Sequence, residues 1–292
     1  MNYLVRHRTV VRYDAPARLA RFNLRLRPAA WPGQTVSDYA LTVEPAPSSI
    51  EERPGLSPVN VSRLVIEAPL VELVIESHFR VSVDAVAARP ADDDPAIAEV
   101  ARQALLVDDI GPAAPANYLY ASRRAPMVPA IAAWAAETLA PGRGIVAAGL
   151  ALCQRIKAEF RFDPSATDAS TPASEAFAAK HGVCQDFAHI MVVALRMVGL
   201  PAAYVSGYLR TVPPPGRPRL IGADATHAWV MIWCGTRLGW LGFDPTNGVA
   251  TGSGHVFTAM GRDYTDVAPL DGIFIGGGEQ DLDVAVDVIP EA

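Results

Sequence analysis

Cysteine is scarce in this chain. Its 292 residues hold three, Cys153, Cys184 and Cys234, widely spaced and with no CxxC pair. An odd, scattered set excludes a disulfide framework and a four-cysteine zinc site, so each thiol has to be read from its surroundings. Charged residues make up only 19% of the chain, the net charge is −6, and no dense Lys/Arg block is present. That argues against nucleic acid or an anionic membrane surface as the main partner. No apolar run reaches the roughly 18 residues of a spanning helix. The opening MNYLVRHRTVVRYDAP carries charges where a secretory signal needs an unbroken apolar stretch. The expectation is a soluble, cytoplasmic protein.

Hydrophobic residues are half of the composition, enough for a substantial core. The length suits two domains, at about 150 residues each. In VELVIESHFRVSV, Val71, Leu73, Ile75, Phe79, Val81 and Val83 alternate with Glu72, Glu76, His78, Arg80 and Ser82. Val5, His7, Thr9, Val11 and Tyr13 repeat that two-residue period against Arg6, Arg8 and Arg12. With YALTV and RLVIEA between proline-rich turns, residues 1–88 read as an all-β, sandwich-like domain. RPADDDP, residues 89 to 95, ends the strand pattern and places the boundary, with a second domain over 95–292. PAIAEVARQALL, PAIAAWAAETLA and GIVAAGLALCQRIKAEF are alanine-rich and predict helices, with Cys153 as core filler in the third.

HGVCQDFAHIMVVALRMVGLPA puts Cys184 at the start of another helix. Cys184, Ala188, Met191, Leu195 and Val198 share one stripe, Gly199 supplies a left-handed cap and Pro201 stops the run. The free N–H groups and positive pole of a helix start favour negative charge, and thiolate is the nucleophilic form of cysteine. Gly182 fits a tight turn where backbone N–H groups approach a ligand. A buried, inert thiol is the competing reading.

A base is needed, and DATHAWVMIWCGTRLGWLGFDPTNG offers one. His227, Trp229, Met231 and Trp233 share one face of a strand, and LGWLGF returns as a second. A two-residue turn at Gly235–Thr236 sets His227 opposite Asp244, Trp229 opposite Gly242 and Met231 opposite Trp240. Opposed residues have Cβ atoms about 5 Å apart, within reach of an imidazole–carboxylate hydrogen bond. A metal reading stays open, with Cys184 and His189 joined by His227 or Asp186. Asp186 reads more simply as a first-turn acid and His189 as a packed helix residue. His7 and His78 lie on strands without chemical company, and only position puts His255 at the edge of a cleft.

Together, GVCQDFAH…LRMVGLPAAYVSGYL, THAWVMIW and GWLGFDPTNG resemble the core of the transglutaminase-like superfamily. GRDYTDVAPLDGIFIGGG and the β-rich opening resemble its bacterial two-domain branch, often described as cysteine proteases. The resemblance implies an α+β protein: a papain-like core with the cysteine helix packed on an antiparallel sheet. It implies Cys184 as nucleophile, His227 as general base and Asp244 as its orienting partner, with no cofactor or metal. The expected activity is acyl transfer on an amide or peptide bond through a thioester, hydrolysis slightly ahead of transamidation. Its partner would be a peptide or protein substrate, or a small amide. A non-catalytic peptide-binding module on the same scaffold is the alternative. The loop RTVPPPGRPRLIGADA, residues 210 to 225, is expected as a cleft wall, and oligomeric state is left open.

Overall fold

The computed structural model describes residues 1–84, 87–211 and 225–291. The expected α+β architecture is present, with a β half-barrel in front of a papain-like core. The half-barrel is organised by one 23-residue strand, Asn2–Leu24. Its first half pairs antiparallel with Leu70–Val83 on one side and Gln280–Glu291 on the other. Its second half pairs with Asn60–Ile66 and Leu270–Gly276, the change of partners falling around Pro16. A residue that fixes its own φ and lacks an N–H suits that interruption. The alternation holds: Leu73, Ile75, Phe79, Val81 and Val83 are buried, although Val71 is 56% exposed at the strand's outer end.

The second domain was expected to run to 292, but residues 270–291 return to the first sheet as its last two strands. The physical reason is that the long first strand has two edges, each with unpaired N–H and C=O groups that need a partner. The boundary segment 89–95 is free of strand, and Asp94 at its end caps the next unit. Its carboxylate accepts from the N–H groups of Val146 and Ala147, both at 3.0 Å. Those open the helix Ile145–Glu159, which has no cap of its own. The other two alanine-rich stretches form Ile97–Ala104 and Pro129–Ala135.

The core is a five-stranded antiparallel sheet in the order Val249–Ala250, Trp240–Asp244, Ala225–Trp233, Ala202–Leu209, His255–Gly261. The cysteine helix, Cys184–Met197, lies on it, burying every residue from Asp186 to Arg196. It ends as its sequence predicts. Gly199 adopts φ +77°. The N–H groups of Leu200 and Gly199 return to the carbonyls of Leu195 and Arg196, the Schellman pattern. On the sheet, Gly207 stands opposite His227, and a Cβ there would run into the Val256 carbonyl and the Trp229 ring.

The two units share packing. Tyr208 and Val256 of the core sheet join Tyr3, Val5, Phe79 and Val81 in one buried cluster. The Gln34 amide pairs with the Phe257 backbone in both directions, at 2.8 and 2.9 Å. No helix among the described residues is long and apolar enough to cross a membrane.

Candidate active site

Cys184 is the first residue of its helix and is half-buried, unlike the fully buried Cys153 and Cys234. The turn before it is built by Asp186. Its Oδ2 accepts from the Val183 N–H at 2.8 Å and from the Thr167 hydroxyl at 2.6 Å. A third-position acid reaching back to the cap N–H is half of a capping box. Gly182, expected to let the backbone approach a ligand, instead makes room for Asp186: an added Cβ would lie 2.5 Å from that oxygen. Burial raises the Asp186 pKa, against the hydrogen bonds from Thr167 and Val183.

The hairpin carrying the histidine differs from the expected one by two residues. Cys234 N–H bonds to Gly239 O at 2.7 Å, so the turn spans Gly235 to Leu238 rather than two residues. Gly235 and Gly239 take the positive φ angles, +95° and +64°. Gly242 consequently faces Met231, and Trp240 faces Trp233. A two-residue shift preserves the face. His227 therefore meets Asp244 on the diagonal instead of directly, and the contact forms: His227 Nε2 lies 2.9 Å from Asp244 Oδ2.

Asp244 is fully buried and heavily solvated by protein. Oδ1 accepts from the N–H groups of Thr246 and Asn247 at 3.0 and 3.1 Å. Oδ2 accepts from His227 and from Asn247 Nδ2 at 2.7 Å. A third donor to Oδ2 is His255, whose Nε2 is 3.1 Å away. Burial opposes the negative charge, but the bonds from His227 and His255 and the nearby cation hold the carboxyl well below the ordinary range. For His227, burial likewise opposes charge, and hydrogen bonds to Asp244 and Cys184 with their attraction lift the pKa to about 10. Cys184 thus acts on the same ring that Asp244 holds through Nε2.

The other candidates separate cleanly. His189 is buried, stacked on Tyr204 at 4.8 Å between ring centres, with Nε2 accepting from the Tyr264 N–H at 3.2 Å. Burial pushes its pKa down to about 4. It is the packed residue, and the metal set of Cys184 and His189 does not assemble around it. His7 does have company, from the other unit: Nδ1 is 3.0 Å from the Tyr208 hydroxyl and Nε2 2.9 Å from Thr9 Oγ1. Cys153 sits against Met191 Sδ at 3.6 Å. Burial, helped by the charge of Asp244, pushes its thiol pKa well up. Burial and Asp94 do the same to Cys234. Of the expected cleft wall at 210–225, residues 212–224 lie outside the described residues.

Position alone puts His255 at the edge of a cleft, and its bond to Asp244 is what sequence reasoning missed. The chain leaves the sheet at one edge, Val249–Ala250, and re-enters at the opposite edge with His255 as the first strand residue. That crossing carries its ring over the strand ends to Asp244. The glycine-rich GSGH stretch signals a loop there but not where the loop goes.

The chain matches the transglutaminase-like superfamily core over residues 132–245 and the bacterial transglutaminase-like N-terminal region over residues 3–82. An uncharacterized protein of Mycobacterium tuberculosis is 36% identical over 296 residues, 99% of this chain and 93% of its own. A protein-glutamine gamma-glutamyltransferase of Pseudomonas aeruginosa is 36% identical over 104 residues, 34% of this chain and 15% of that protein. In fold, the chain is similar to the crystal structure of a proposed cysteine protease from Cytophaga hutchinsonii. That likeness has a TM-score of 0.76 at 21% identity and covers 100% of this chain and 92% of the other. The chain belongs to the transglutaminase-like superfamily, as a member that carries the bacterial transglutaminase-like N-terminal region.

Proposed function

We propose that the protein is a thiol-dependent acyl-transfer enzyme acting on an amide or peptide bond, with water as the preferred acceptor. Membership of the superfamily ties it to cysteine-based catalysis. The observation that carries the finer reading is the His227–Asp244 bond of 2.9 Å, on a ring that also feels the charge of Cys184 at the start of the helix lying on its sheet.

In the proposed reaction the Cys184 sulfur, its proton already held by His227 at Nδ1, attacks the carbonyl carbon as thiolate. The resulting oxyanion takes the N–H groups that the helical pattern leaves free in the first turn, beginning with Cys184. The tetrahedral adduct collapses, the C–N bond breaks, and His227 protonates the leaving amine. A thioester remains. Water, deprotonated by His227, attacks it, the C–S bond breaks, and the carboxylic acid leaves with the thiolate and the protonated ring restored. Asp244 holds the ring with Nε2–H toward itself and stabilises the imidazolium. An amine in place of water would give transamidation.

A peptide-like substrate is supported by a pocket of about 200 Å³ beside His255, walled by Trp31, Trp229, Trp240 and Phe257, which suits an apolar side chain. Three unpaired thiols suit a reducing compartment such as the cytoplasm.

The test is to trap the thioester. The protein is mixed with a library of peptides and acyl amides, quenched in acid, and mapped by mass. The expected result is an acyl adduct on Cys184 that hydroxylamine removes and free amines intercept more slowly than water. Binding of library members with no adduct on any variant or at any time would favour the peptide-binding module instead.

A further inference from the structure

Asp244 Oδ2 is claimed by two imidazoles, His227 and His255. From this geometry we infer that His255 is a positioning residue for the triad: it shares Oδ2 with His227 and so moderates how strongly the carboxylate holds the His227 proton. The inference about turnover rests on the reading of the site given above.

The placement of the second ring is specific. His255 Nδ1 accepts from the Gly252 N–H at 3.3 Å, which assigns the proton of a neutral ring to Nε2, the atom aimed at Asp244. The ring stands edge-on to Trp229, 5.4 Å between centres at 79°, and its side chain is 10% exposed. The two histidine rings do not stack; their centres are 6.3 Å apart. His255 is not needed to place the carboxylate, because Thr246 N–H, Asn247 N–H and Asn247 Nδ2 already hold both oxygens. What it adds is a competing donor on the oxygen that His227 uses.

Competition on one acceptor oxygen has a definite sign. Each extra donor spreads the carboxylate's charge and lowers its basicity, which weakens its hold on the imidazolium. A base gripped too tightly cannot return its proton to the leaving amine, so a moderating donor favours turnover. The other titratable groups around this pair come from several elements. Cys184 faces His227 from the cysteine helix. Cys153 faces Asp244 from the helix Ile145–Glu159. Lys157 of that helix bonds Asn247 O at 2.8 Å. Tyr204 and Tyr264 face Cys184. None of these donates to Oδ2. The ring and carboxylate atoms of His227, Asp244 and His255 lie within 4.8 Å of one another, and the two direct bonds to Oδ2 account for that spacing.

The experiment titrates His227 by NMR in protein with isotope-labelled histidine, which requires no substrate. In His255→Phe, where the ring shape stays and the donor goes, the His227 midpoint is expected to rise by about half to one pH unit. His255→Gln, which restores an N–H near the same place, should bring it back. Should the phenylalanine variant not fold, His255→Asn, too short to reach, is titrated in its place. A midpoint within about 0.2 unit of the parent, or below it, overturns the inference. So does stoichiometric zinc in the purified protein that is lost with His255. If Cys184 never acylates while the midpoint still follows residue 255, the acyl-transfer reading fails and the role of His255 on the carboxylate stands.

Discussion

Cys184→Ala and His227→Ala are each expected to lower turnover by about 10⁴-fold or more while leaving the fold intact. The alanine at 184 loses only a half-buried sulfur at the helix start, so its melting temperature should match the parent. His227→Ala leaves Asp244 with four of its five donors, enough to keep the carboxylate solvated. Because the two residues act as one unit, the double variant should be no slower than either single one. Asp244→Asn is different in kind. It should retain a small residual rate, since thiol and imidazole stay in place. It should also lose stability by about 1–3 kcal/mol, since the new amide turns a donor toward a site full of donors. The measurement is single-turnover kinetics on the trapped substrate beside thermal unfolding; normal activity in either alanine variant would remove that residue from the mechanism.

The second large effect is on stability in mild acid. His7 and His189 are both buried, and burial holds each pKa down to about 4. The unfolded chain takes up these protons near pH 6.5 and the folded one does not until about 4, so stability is full above 6.5 and is lost as pH falls between those values. At about 1.4 kcal/mol per unit for each group, the loss is on the order of 7 kcal/mol. His227 works in the opposite sense. Its pKa is raised, so its contribution is complete below about 6.5 and is lost only as pH rises through about 10. Asp244, held low, contributes above about pH 4 and loses that contribution below it. Urea midpoints should therefore drop steeply from pH 7 to 4.5, and His189→Gln should flatten the drop. A flat profile over that interval would show that neither ring is sealed from protons.

Much of this was legible in the residues because it is local. The cysteine helix shows itself through its stripe and its Gly199–Leu200–Pro201 ending, and the structure starts and stops it there. The His227–Asp244 contact is legible from strand alternation alone, which is why it survives a register that was misjudged. Gly235–Thr236 looks like a two-residue turn, but the turn needs positive φ at both Gly235 and Gly239, and the longer loop wins. What was not legible is long-range. Nothing in GRDYTDVAPLDGIFIGGG says that its own end and the chain after it pair with residues 2–24, about 250 or more positions away. His7 finds Tyr208, and His255 finds Asp244, only because two sheets and a crossing loop bring them together.

The most direct measurement of the central claim is the alkylation rate of each thiol against pH, in the parent and in His227→Ala. If sulfur and imidazole share a proton under the hold of Asp244, iodoacetamide should modify Cys184 readily at pH 6 while the buried Cys153 and Cys234 stay untouched. Removing the ring should slow Cys184 by about 100-fold at that pH. Three equally sluggish thiols, or a Cys184 rate indifferent to the loss of His227, would contradict the account.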